Sequence, residues 1–129
     1  MLTGLHRGRI FVATQATDLR KSYDGLAALV EGTFGRDVRS GDLFVFINRR
    51  ATQVRVLYWD ADGFCMWMKR LEAGTFRRLD DASANHVELD AGQLAMLFAG
   101  IDAKSVTRRK RYRDLSQSSA KDIASRLRL

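Results

Sequence analysis

The residues best able to act on a partner are the arginines and lysines, and they are not spread evenly. The densest run lies between Thr107 and Arg113, with Arg108, Arg109, Lys110, Arg111 and Arg113. The chain has 129 residues and a formal net charge of +7. Residues 1–103 hold 13 basic and 13 acidic side chains, so the whole excess sits in residues 104–129. That stretch adds Lys104, Lys121, Arg126 and Arg128, against only Asp114 and Asp122. A neutral body with a basic tail suits a polyanion, nucleic acid before an acidic protein or a membrane surface. The rival is a tail that only aids solubility. Charges this close repel one another, so the tail is expected to be disordered or weakly helical until phosphates order it. Contact of this kind supplies affinity with little sequence reading.

Further basic pairs lie in the neutral body. Arg20 and Lys21 stand near an expected helix start, where cations oppose the helix dipole. Either a bound anion uses the free N–H groups there, or Asp24, four residues beyond Arg20, pairs with Arg20 or Lys21. Arg49-Arg50, Lys69-Arg70 and Arg77-Arg78 fall at turns or strand ends. Tyr58, Trp59, Trp67 and Phe76 lie in the same region and are able to stack bases, though core packing is the commoner fate of an aromatic.

Other chemistries find little footing. His6, His86 and Cys65 lack the spacing of a tetrahedral metal site. No glycine loop has phosphate-cradle spacing, and no serine sits in a nucleophile elbow. A metal-dependent nuclease needs converging carboxylates, for which Asp60, Asp62, Asp18 and Asp24 are the candidates. Asp60 and Asp62 flank a turn, and Asp18 suits a helix cap, so structural roles account for them. A lone cysteine and the absence of a signal segment or a long apolar run point to a cytoplasmic protein without a membrane span. Nothing calls for a cofactor.

The elements that must hold these residues follow from periodicity. Arg9 to Ala13 reads as a strand. Leu19, Tyr23, Leu26, Val30 and Phe34 form a helical stripe opened by Thr17 or Asp18 and closed by Gly35. Asp42 to Asn48 reads as a central strand, and Gln53 to Trp59 as the next. Asp60 to Gly63 is a turn into Phe64 to Leu71, read as a strand in preference to a helix. Glu72 to Gly74 turns the chain into Thr75 to Leu79. Asp80 to Asn85 is a loop. Asp90 opens a second helix, with Gln93 placed for a capping box and Gly100 near its end. Leu115 to Leu127 is weakly amphipathic. The fold class is α+β: an antiparallel meander of about four to five strands packed by two helices. It forms one domain over residues 1–103, followed by the basic tail.

Four blocks carry a family resemblance. They are Thr17 to Leu26 (TDLRKSYDGL), Leu43 to Arg50 (LFVFINRR), Val56 to Phe64 (VLYWDADGF) and Lys69 to Phe76 (KRLEAGTF). In type, order and spacing they resemble TnpB, the small accessory protein of the IS-sixty-six type of bacterial insertion sequences, not the RNA-guided nuclease of the same name. The resemblance implies a non-catalytic role in DNA transposition, beside a separate transposase that carries the catalytic carboxylates. The expected partners are DNA, at element ends or without preference, and that transposase; the sequence also leaves room for an oligomer. The expected nucleic-acid contacts are Arg20, Lys21, Arg49, Arg50, Lys69, Arg70, Arg77 and Arg78 in the body, and Lys104, Arg108, Arg109, Lys110, Arg111 and Arg113 in the tail. A pure protein–protein adaptor and, further off, a nuclease are the alternatives.

Overall fold

In the computed structural model the described residues are 8–79, 83–102 and 107–108. Leu43-Phe-Val-Phe-Ile47 dictates the architecture. Every residue of this strand, β2, is buried. A strand with apolar side chains on both faces needs a cover on each. Its neighbours are β1 (Ile10–Ala13) and β3 (Gln53–Asp60), and the edges are β4 (Gly63–Arg70) and β5 (His86–Leu89). The order across the sheet is β4-β3-β2-β1-β5.

The α+β class and the β2–β3–β4 meander stand as the sequence implies, and residues 64–70 are strand. One pair departs from antiparallel: β1 runs parallel to β2, with Ile10 opposite Leu43. The cause is the helix between them, which returns the chain so that β2 enters in the same direction. The strand β5, antiparallel to β1, is absent from the sequence reading. Thr75 to Leu79 is not a strand; it crosses the sheet face as irregular chain, with Phe76 buried and its N–H bonded to the Ala51 carbonyl at 2.7 Å. The loop read over residues 80–85 is described only from Ser83 onward, and the helix read over residues 115–127 lies outside the described residues.

Alternation along each strand sorts the core into two layers. Val12, Val45, Val56 and Phe76 face α2 (Ala91–Ala99), whose Leu94 and Leu97 complete that side. Phe11, Phe44, Phe46 and Leu57 face α1 (Tyr23–Leu29) and the π-helical turns Val30–Phe34 that continue it. Leu26, Val30 and Phe34 are four apart. In an ideal α-helix each such step drifts by about 40°, and wider π turns keep Phe34 on the sheet. Gly35, at φ 64°, ends this segment.

The helix α1 starts later than the stripe implies. Thr17 donates its N–H to the Ile47 carbonyl at 3.0 Å, which ties residues 14–22 to the end of β2 as a loop. Leu19 still reaches the α1-side core. The helix α2 matches its reading: Asp90 accepts from the Gln93 N–H at 2.7 Å, and the Gln93 side chain accepts from the Asp90 N–H at 2.9 Å. Phe46→Ala should cost about 3–5 kcal/mol of stability and Asp90→Ala about 1 kcal/mol; urea denaturation followed by circular dichroism checks both.

Candidate nucleic-acid interface

The turn joining β2 to β3 presents Arg49 and Arg50 to solvent. Its backbone is fixed from several sides. The Asn48 side-chain oxygen accepts from the N–H groups of Thr52 and Gln53 at 2.9 and 3.0 Å. The Ala51 N–H bonds to the Asn48 carbonyl at 2.9 Å. From outside the turn, one Arg78 nitrogen, Nη2, donates to the Asn48 and Arg49 carbonyls at 2.6 and 2.9 Å. This network holds Ala51 at φ 58°, a left-handed conformation that costs a non-glycine residue about 1–2 kcal/mol.

Beside the turn lies a cleft of about 660 Å³ between it, the 16–20 loop and the start of β3. Arg20, Arg49, Arg50 and Arg55 line it, with Asp18 as the one acid. Arg55 leaves β3 on the α1 side and donates to the Lys21 carbonyl at 3.0 Å, joining the loop to the sheet. Arg20 grips Asp18 with two nitrogens, at 3.0 and 2.8 Å. The guanidinium holds the Asp18 carboxyl well below the usual carboxylate range, and the carboxylate raises Arg20 in turn. Both groups are largely exposed, so their pairing adds little stability. It does remove one charge from the cleft. Arg49, Arg50 and Arg55 have no ion-pair partner among the described residues.

Two sequence readings are thereby corrected. Arg20 pairs with Asp18, not with Asp24. Arg20 and Lys21 precede α1 instead of occupying its first turn, and Ser22 is its N-cap.

The structure therefore gathers Arg20, Arg49 and Arg50, with Lys21 next to them. Arg70 is one strand away, opposite Gln53 in the β3–β4 register, and pairs with Glu72 at 3.2 Å. Lys69 is exposed on the alternate face of β4. Arg77 is half-buried outside the cleft lining. Arg78 is the turn's clamp, with its Nη1 buried and without a hydrogen-bond partner among the described residues. Lys104, Arg109, Lys110, Arg111 and Arg113 lie outside the described residues. The backbone of Arg108 is in a two-residue strand opposite Ile101. Sequence reasoning misses Arg55, although its place between the buried Val54 and Val56 marks an outward side chain. It misses two more arginines: Arg36 stacks over Phe11 at 4.1 Å and Arg39 over Trp59 at 5.0 Å.

The aromatics do not join the cleft. Phe76 is buried, Trp67 stacks on Phe98 at 4.9 Å, Trp59 meets Phe64, and no aromatic lines the cleft. Its guanidiniums are able to bond an anion, and it offers no ring for base stacking. Asp60 and Asp62 flank the β3–β4 turn, at the other end of β3 from the cleft. Among the described residues no group of three or more His, Cys, Asp or Glu is placed to hold a metal, and no helix is long and apolar enough to cross a membrane.

These features define a small α+β protein with a guanidinium-lined cleft at one end of its sheet. The chain belongs to the IS66 Orf2-like protein family, whose model it matches over residues 8–108. It is thus an insertion-sequence-associated accessory protein. Two relatives from Sinorhizobium fredii are similar to it. Uncharacterized protein y4jC is 36% identical over 109 residues, covering 84% of this chain and 92% of its own. Uncharacterized protein y4hO is 32% identical over 102 residues, covering 79% and 88%. No solved structure matches the chain.

Two outcomes follow from this geometry. Arg78→Ala should lower stability by about 1–3 kcal/mol, since two carbonyls lose a charged donor, and Arg78→Lys should recover part of it in the same denaturation assay. His86 is stacked on Phe34, and burial first, then Arg36, lowers its pKa. The unfolded chain therefore takes up a proton at higher pH than the folded one. Stability should fall as pH drops below about 6.5 and level off beneath the depressed folded value. His86→Gln should flatten that step in a pH series of thermal melts.

Proposed function

We propose that this protein serves transposition as a non-catalytic accessory factor that binds DNA and assists a separate transposase. The cleft at the β2–β3 turn supplies positioned phosphate contacts, and residues 104–129 add less specific attraction. The observation that carries this reading is a set of three guanidiniums, Arg49, Arg50 and Arg55, with no carboxylate partner among the described residues, on a backbone clamped by Asn48 and Arg78. Arginine on a fixed frame suits the planar oxygens of phosphate. The family supports the transposition context, and the charge of the tail supports a polyanion partner. We further propose that residues 1–103 act as the recognition body and that the protein works in the cytoplasm.

The test is gel-shift titration over a salt series, on element ends and on random duplex. Arg49→Ala with Arg50→Ala and Arg55→Ala should weaken binding and lower the salt slope by about one for each phosphate no longer neutralised. Deleting residues 104–129 should lower the slope without changing any preference for element ends. Full-length protein that binds no DNA at low salt would sink the proposal and favour a pure adaptor to the transposase.

A further inference from the structure

The edge strand β4 carries the longest unpaired backbone of the sheet. It runs for eight residues, and among the described residues only β3 pairs with it. Met68 on this edge is 60% exposed, a high value for so apolar a side chain. The charges at its two ends are opposite. Lys69 and Arg70 close one end, and Asp60 and Asp62 flank the turn at the other. Neither aspartate has an ion-pair partner among the described residues, nor does Lys69.

We propose that this edge pairs antiparallel with β4 of a second copy of the chain, with Met66 at the two-fold axis. Pairing that continues both faces of the sheet sets residues of like face opposite each other. Centred on Met66, it puts Met68 against Phe64 of the second copy and Cys65 against its Trp67. The exposed Met68 is then covered. Lys69 and Arg70 fall beside the acidic turn of the second copy, and the exchange occurs twice by symmetry. Registers centred near Lys69 oppose like charges and are disfavoured. The same basic pair guards the edge against unrelated strands, so the ends choose the register while the apolar middle supplies contact. One strand pair is a small interface beside the usual ~1,600 Å², so the dimer is reversible.

The twofold axis also sets the two basic clefts on one face of a continuous sheet. The two copies of Arg70, each one strand away from its cleft, are roughly 27 Å apart along the strands, from eight residue steps of about 3.4 Å. That consequence rests on the DNA reading; the pairing itself does not, and it is measured without DNA.

Sedimentation velocity of the full-length protein over a concentration series tests the pairing. The wild type should pass from monomer to dimer. Met68→Lys should shift the midpoint at least tenfold to higher concentration. Arg70→Asp and Asp62→Arg should each weaken the dimer, and the two together should restore it. All three side chains are exposed, so circular dichroism should confirm an unchanged fold. A wild type that stays monomeric, a dimer indifferent to these substitutions, or a double variant no better than the singles would each overturn the proposal.

Discussion

Burial of β2 on both faces is the constraint from which the molecule follows. Leu43, Val45 and Ile47 point to one side and Phe44 and Phe46 to the other, and none keeps more than 1% of its surface. A single helix cannot cover both sides. One cover comes from α1 and its π-helical extension, the other from α2 with the Phe76 segment. Supplying two covers uses most of the apolar side chains of a chain this size. The charged ones are left to the strand ends and turns, where water or a partner meets them.

The same constraint explains the form of the cleft. The strand β2 must leave the interior through a tight turn, because β3 lies antiparallel beside it. Asn48 and Arg78 satisfy the carbonyls and N–H groups of that turn, and Phe76 docks on Ala51. A turn fixed by half-buried partners presents its two exposed side chains in one place. Arg49 and Arg50 thus gain a rigid frame from a network that exists to close the core.

The sequence reveals the layers better than the connections. Continuous apolar residues from Leu43 to Ile47 identify the central strand, and Asp90 with Gln93 marks the second helix. The Asp60–Gly63 turn marks the β3–β4 hairpin. What sequence patterning misses depends on contacts made across space. Thr17 looks like a helix cap until its N–H is seen on Ile47. Arg78 resembles any solvated base until its guanidinium is found on the Asn48 and Arg49 carbonyls. The strand β5 is four residues of alternating polarity, His86-Val-Glu-Leu89, and only its pairing with β1 makes it a strand. Helical spacing matches Arg20 to Asp24, but Arg20 is not helical, and the carboxylate within its reach is Asp18. Arg55 is legible from alternation alone.

The cleft also has an energetic logic of its own. Three guanidiniums converge there, while the one nearby acid is committed to Arg20. Like charges brought together weaken the folded state, modestly because water screens them. Folding gains nothing from Arg49 and Arg50, which stand exposed at the tip of the turn. Arg55 does give something back, a bond to the Lys21 carbonyl, but a neutral donor would serve that purpose too. A phosphate converts the repulsion into attraction and releases counterions as it binds. In this body, whose 13 bases and 13 acids otherwise cancel, that local excess is the feature that folding alone does not account for. On the proposed reading it would also give the basic tail a companion, the tail drawing a polyanion near and the cleft setting where on the body its backbone rests.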